Sequence, residues 1–260
     1  MLEAPDATVV VLLCVAALLA GWVDAVVGGG GLVQLPALLV LLPGAAPAQV
    51  LATNKLASVA GTATATVTYY RRVRPDLRTA LPMAGAAVLG AAGGAACAAL
   101  LPQEAFRPIV LVLLVLVAAY TLARPALGEA QALRFHGRRH HVVAVLSAVV
   151  IGFYDGIFGP GTGSFLVFAL VGLLGYSFLQ ASAKARIANL ATNLGALAVF
   201  VPQGAVLWGV GALMALCNLT GGFLGARTAI ARGSRFVRVV FLVVVAALVA
   251  RLGYDMLTGA

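Results

Sequence analysis

Charge is scarce in this chain of 260 residues: 10% of its residues are Asp, Glu, Lys or Arg, against roughly a quarter in soluble domains. No polar stretch is long enough to build a soluble core of its own, so a separate water-soluble domain is excluded and residues 1–260 read as one membrane domain. Cysteine is scarce too. Cys14, Cys97 and Cys217 each lie inside an apolar run, and an odd number of such thiols argues against a disulfide framework and for packing. The three histidines, His136, His140 and His141, sit together in a basic stretch with no Cys or carboxylate at ligand spacing, so no metal is expected and they read as interfacial. A GxxxxGK[ST] phosphate cradle is missing, which leaves ATP drive to a separate subunit, and no cofactor is implied. No His/Asp/Glu cluster or Ser/His pairing sits at membrane depth, so the chain does not read as an enzyme.

What the chain does have is hydrophobic sequence, 62% of its residues, with a mean hydropathy of +1.06. That composition predicts an all-α polytopic membrane protein. The net charge of +9 does not point to nucleic acid, because the basic residues cluster at the ends of apolar runs rather than along one soluble face. The start, MLEAPDAT, carries Glu3 and Asp6 where a signal peptide would be basic, and the first apolar run is expected to be retained.

The runs fall at 8–27, 32–42, 50–70, 79–101 and 105–123, then at 141–158, 163–175, 181–200, 205–228 and 236–257. The pattern is five plus five: a first repeat over 8–123, a basic connector over 124–140 and a second repeat over 141–257. At about 1.5 Å per residue, the second run of each half spans under 20 Å, too short to cross a hydrocarbon core of about 30 Å. The first two runs of each half are therefore expected to form a broken crossing or a re-entrant hairpin.

Between those two runs lies the feature that organises the chain. GWVDAVVGGGG over 21–31 returns as GFYDGIFGPGTG over 152–163, with Asp155 standing 131 positions after Asp24 and Gly159 the same distance after Gly28. Glycine clusters that interrupt apolar segments at matching places in two halves are a sequence pointer to a transporter's binding site. Further along, NKLASVAGT matches NLATNLGA at a spacing of 134, which puts Asn189 at the repeat position of Lys55, while Gly90 and Gly94 match Gly221 and Gly225 at 131 again. These two Gly-xxx-Gly pairs predict close helix packing, within the chain or across a homodimer.

Arginines crowd the loop at 71–78, the connector (Arg124, Arg134, Arg138, Arg139) and the stretch 227–238, whereas 43–49, 101–104 and 201–205 carry no Lys or Arg. The positive-inside rule places the basic loops in the cytoplasm and both chain ends outside. The first repeat then starts outside and the second inside, an inverted-topology pair of the kind used for alternating access.

Polar residues within apolar runs are the functional candidates. They are Asp24, Gln34, Thr53, Asn54, Lys55, Ser58, Asp155, Thr162, Ser164, Lys184, Arg186, Asn189, Thr192 and Asn193. Lys55 falls near the outer end of its segment, where the loops lack basic residues, and is positioned to meet an anion. Lys184 and Arg186 read equally well as helix-end residues snorkelling to the cytoplasmic interface or as ligands. Helices starting after Gly31 and Gly163 are expected to aim free amides and a positive dipole end at the break. The predicted substrate site joins Gly29, Gly30, Gly31, Gln34, Asn54, Lys55 and Ser58 of the first half to Gly161, Thr162, Gly163, Asn189, Thr192 and Asn193 of the second. Asp24 and Asp155 either brace the glycine loops by accepting amide hydrogen bonds or titrate to couple transport to protons.

The doubled glycine/aspartate element, TNKL over 53–56 and NLATNLGAL over 189–197 resemble the TauE/SafE family of sulfite exporters and related anion transporters, along nearly the whole chain. The resemblance implies two inverted repeats in a multi-pass protein of the bacterial inner membrane, moving sulfite, sulfoacetate or a related organosulfonate. A passive anion channel is the alternative, and an enzyme or assembly factor a more distant one. The expected partners are a small anion and membrane lipid.

Overall fold

The computed structural model describes residues 6–97 and 130–258, all of whose regular elements are helical. The fifth predicted run, 105–123, and Arg124 lie outside the described residues. Eight helices follow in order: α1 (Ala7–Val27), α2 (Gly31–Leu41), α3 (Pro47–Val73), α4 (Leu77–Cys97), α5 (Gly137–Ile157), α6 (Thr162–Phe168, running on through a π-helical turn, Ala169–Leu173), α7 (Phe178–Phe200) and α8 (Trp208–Thr258). α8 takes in both of the last two predicted runs. It bends sharply at Gly233, whose φ of 73° and ψ of −171° divide it where the sequence breaks between 228 and 236.

Among the described residues, four helices are long and apolar enough to cross a bilayer: α1, α4, α5 and the Trp208–Val244 part of α8. α3 and α7 have the length, at 27 and 23 residues, but are more polar. They lie innermost, and their buried faces carry Thr53, Asn54, Lys55 and Thr62 on α3, and Ser182, Lys184, Arg186, Asn189, Thr192 and Asn193 on α7. Large apolar side chains of the outer helices, such as Val11, Leu89, Val150 and Leu216, stay exposed, as a lipid-facing surface requires.

α2 doubles back beside α1. Val9 and Leu13 from the start of α1 share an apolar cluster with Leu38, Leu41 and Leu42 from the end of α2, and with Val50 and Ala57 of α3. In the second half His140, near the start of α5, hydrogen-bonds the Tyr176 hydroxyl just beyond α6 at 2.8 Å, so that pair of helices also closes on itself. His140 is thus buried inside the protein. The connector is fastened to the same place, since the Ala132 and Arg134 amides donate to the Gly175 and Leu174 carbonyls.

The largest helix interfaces are α1 with α8 and α4 with α5, followed by α3 with α8 and α4 with α7. Glycine makes them close. Gly221 and Gly225 of α8 rest on the backbone of Leu18 and Trp22, while Gly90 and Gly94 of α4 rest on Val149 and Phe153, each contact 131 residues from its counterpart. The Gly-xxx-Gly faces are therefore filled from within the chain. Between α3 and α4, Asp76 caps the helix by accepting from the Arg78 amide at 3.0 Å and the Thr79 hydroxyl at 2.7 Å. Desolvation opposes ionisation of Asp76, but these hydrogen bonds, Thr79 foremost, outweigh it and hold the carboxyl below the usual range.

Candidate functional site

Both glycine clusters break the helix. α1 ends at Val27 and Gly28 adopts φ +88°; α5 ends at Ile157 and Gly159 adopts φ +89°, a left-handed conformation that residues with a Cβ seldom take. The breaks meet back to back, because the Ser164 amide donates to the Gly28 carbonyl at 3.1 Å and the Ser164 hydroxyl to the Val27 carbonyl at 2.9 Å.

Some of the amides expected to point at a ligand are occupied: Leu32 and Val33 donate to the Gly29 and Gly30 carbonyls. Gly31, Thr162 and Gly163 border the cavity described below. Charged side chains face the same space, and they cross between the halves. Lys55 Nζ on α3 lies 2.6 Å from Asp155 Oδ2 at the second break, with both side chains 2% exposed. Arg186 Nη1 on α7 lies 2.9 Å from Asp24 Oδ2 at the first break and also donates to the Asp24 main-chain oxygen.

Lys55 is therefore not an unpaired cation, and Arg186 does not snorkel. Arg186 stands eight residues into α7, about 12 Å along the axis, and is fully buried. Lys184 is buried as well, its ammonium 4.3 Å from the Tyr176 ring centroid. The crossed pairs also correct the repeat register at this level. Arg186 rather than Asn189 is the counterpart of Lys55, 131 positions on, as Asp155 is of Asp24.

Each aspartate braces its break with its other oxygen. Asp24 Oδ1 accepts from the Gly30 amide at 3.4 Å, and Asp155 Oδ1 accepts from the Thr162 hydroxyl at 2.6 Å. The loop-bracing role and the ion pair thus coexist on one side chain.

Between the breaks is a small cavity, with room for about one water molecule. It is lined by Asp24, Gly28, Gly31, Asn54, Lys55 and Ser58 from the first half and by Asp155, Gly159, Thr162, Gly163, Asn189 and Asn193 from the second. Asn54 Oδ1, buried in this wall, has no hydrogen-bond partner. Of the predicted ligands, Gln34 instead donates to the Asn54 carbonyl and accepts from Asn218 at 2.8 Å, and Thr192 donates to the Asn189 carbonyl. Gly29, Gly30 and Gly161 form the breaks without bordering the cavity. Sequence reasoning missed Asn218, which ties α8 to Gln34 and to the Ala17 carbonyl; its only signal was an amide within an apolar run. It also missed Tyr69 and Tyr154, whose hydroxyls donate to the Ala25 and Pro160 carbonyls beside the two aspartates.

A polar centre shared by two broken hairpins inside an apolar helical bundle defines a multi-pass membrane protein. Comparison with known proteins agrees: the family model described as sulfite exporter TauE/SafE matches residues 13–252, and the chain belongs to that family. A probable membrane transporter protein of Sinorhizobium, ORF9, is 41% identical over 244 residues, covering 94% of this chain and 92% of the relative. The probable membrane transporter protein YfcA of Escherichia coli K12 is 34% identical over 240 residues, 92% of this chain and 87% of that one. A probable membrane transporter protein of Haemophilus influenzae is 33% identical over 245 residues, 94% of each. No solved structure matches.

Proposed function

We propose that the protein is a secondary transporter that carries a small anion, such as sulfite, sulfoacetate or a related organosulfonate, across a bacterial inner membrane by alternating access. The observation that carries the proposal is the cavity between the two breaks, where a cation from each half reaches the hairpin tip of the other. In this reading the two α1/α2-type hairpins re-enter the membrane from opposite faces, so that residues 8–123 and 141–257 are inverted repeats about the cavity. Doubling back of α2 on α1, and the basic loops at 71–78 and 227–238, support that arrangement.

The cavity is too small for an oxyanion as it stands, so the substrate enters only when the hairpins part or an ion pair opens. That supports a carrier with an occluded stage over the passive channel. Lys55 and the Asn54, Ser58, Asn189 and Asn193 side chains supply the ligands, with Gly31, Thr162 and Gly163 leaving room beside them.

Thermal unfolding in detergent with sulfite, sulfoacetate, taurine, thiosulfate and simple carboxylates tests the site, since a bound ligand raises apparent stability by about RT ln(1 + [L]/Kd). One anion should shift the wild type and leave Lys55→Ala unmoved. A shift that survives in Lys55→Ala places the site elsewhere. Concentrative uptake into proteoliposomes separates the carrier from the channel.

A further inference from the structure

We infer that a singly charged anion travels together with one proton, and that Asp155 is the group that takes it. This deepens the transport reading above and rests on it.

Two acids, Asp24 and Asp155, face two bases, Lys55 and Arg186, each acid in contact with one base. The remaining titratable groups alongside are the Tyr69 hydroxyl, which donates to the Ala25 carbonyl at 3.0 Å, and the Tyr154 hydroxyl, which donates to the Pro160 carbonyl at 2.6 Å. Both hold their protons as hydrogen-bond donors. Lys184 lies away from the pairs, against Tyr176. With both acids ionised the centre is neutral, and an anion entering alone leaves an uncompensated charge among groups only 0–13% exposed. Such a charge is strongly disfavoured in a buried, lipid-surrounded site. A proton arriving with the anion restores neutrality.

Geometry distinguishes the two carboxylates. Arg186 holds Asp24 through both its side chain and its main chain, Asn189 adds a contact at 3.4 Å, and a guanidinium does not release its proton. Its Nη2 packs over Gly163, where a Cβ would come within 2.9 Å. Asp155 is held by one ammonium, and both partners border the cavity. Once Asp155 is protonated, Lys55 loses its counter-charge while Asp155 keeps Thr162 as a partner, and the anion takes the carboxylate's place against Lys55 Nζ. The proton comes from water on one side and returns to water on the other; no bond to the anion is made or broken.

Proteoliposomes holding a pH-sensitive dye test this with isethionate, a monovalent sulfonate whose charge does not change with pH. An inward proton gradient with equal isethionate on both sides should drive its uptake, with one proton entering per anion and no response to membrane voltage. Asp155→Asn should let isethionate move only down its own gradient and silence the dye, whereas Asp24→Asn should keep whatever flux remains coupled to protons. Isethionate uptake without acidification in the wild type, or unchanged coupling in Asp155→Asn, overturns the inference and leaves the transport reading standing. Wild-type protein that moves no isethionate counts against both. The wild-type ratio decides the proton coupling even where the variants fold poorly, and the variants decide which carboxylate serves it.

Discussion

Gly28 and Gly159 end their helices with nearly the same φ, yet what stands behind them differs. Gly28 is pressed against the backbone of Gly163 and Ser164, with no side chain between. Behind Gly159 lies the flexible end of Lys55, whose Nζ would be 3.3 Å from an added Cβ. The ion pairs repeat the contrast: Asp24 is bound by a guanidinium through two of its own oxygens, Asp155 by one ammonium. The first break is thus backed by backbone and held by the larger number of contacts, the second by one flexible side chain. Duplicated sequence provides two similar backbones, and the residues placed against them differ.

The comparison can be broken at four points. Gly28→Ala should do the most damage, because backbone has nowhere to go, and folded protein should be lost in size-exclusion chromatography of detergent extracts. Arg186→Ala should come next, leaving Asp24 without its cation at a cost of about 3–5 kcal/mol in chemical or thermal unfolding. Gly159→Ala should cost about 1–2 kcal/mol for the left-handed backbone alone, since Lys55 can move aside, and should weaken anion binding in the thermal-shift assay. Equal losses for the two glycine variants would remove the asymmetry. Ser164→Ala should be mildest, about 1 kcal/mol for one lost hydrogen bond to the Val27 carbonyl, read as a small fall in Tm.

Much of this centre could be read from the chain before its fold was known. Glycine, aspartate and a hydrophobic run too short to span are local signals, and they located both breaks, Asp24, Asp155 and Lys55. The partner of each charge was not local. Applying the 131-residue spacing to Lys55 leads to Arg186, but the apparent match of NKLASVAGT to NLATNLGA at 134 drew attention to Asn189 instead. One helical turn separates the two registers, so both put a polar residue on much the same face of α7. The amides were legible only in part: glycines free them, but the sequence does not show that the Gly29, Gly30 and Gly28 carbonyls accept from Leu32, Val33 and Ser164. Arg186 read equally well as an interfacial residue or a ligand because it stands near the start of its apolar segment, and only the crossing of α7 past the first break brings a carboxylate to it.

Ser164 has a mechanical consequence. By clasping the Val27 and Gly28 carbonyls it rivets the tips of two hairpins to each other at the centre of the molecule. A rivet of this kind joins the two tips into one mechanical piece: displacing either hairpin strains the bonds by which it holds the other.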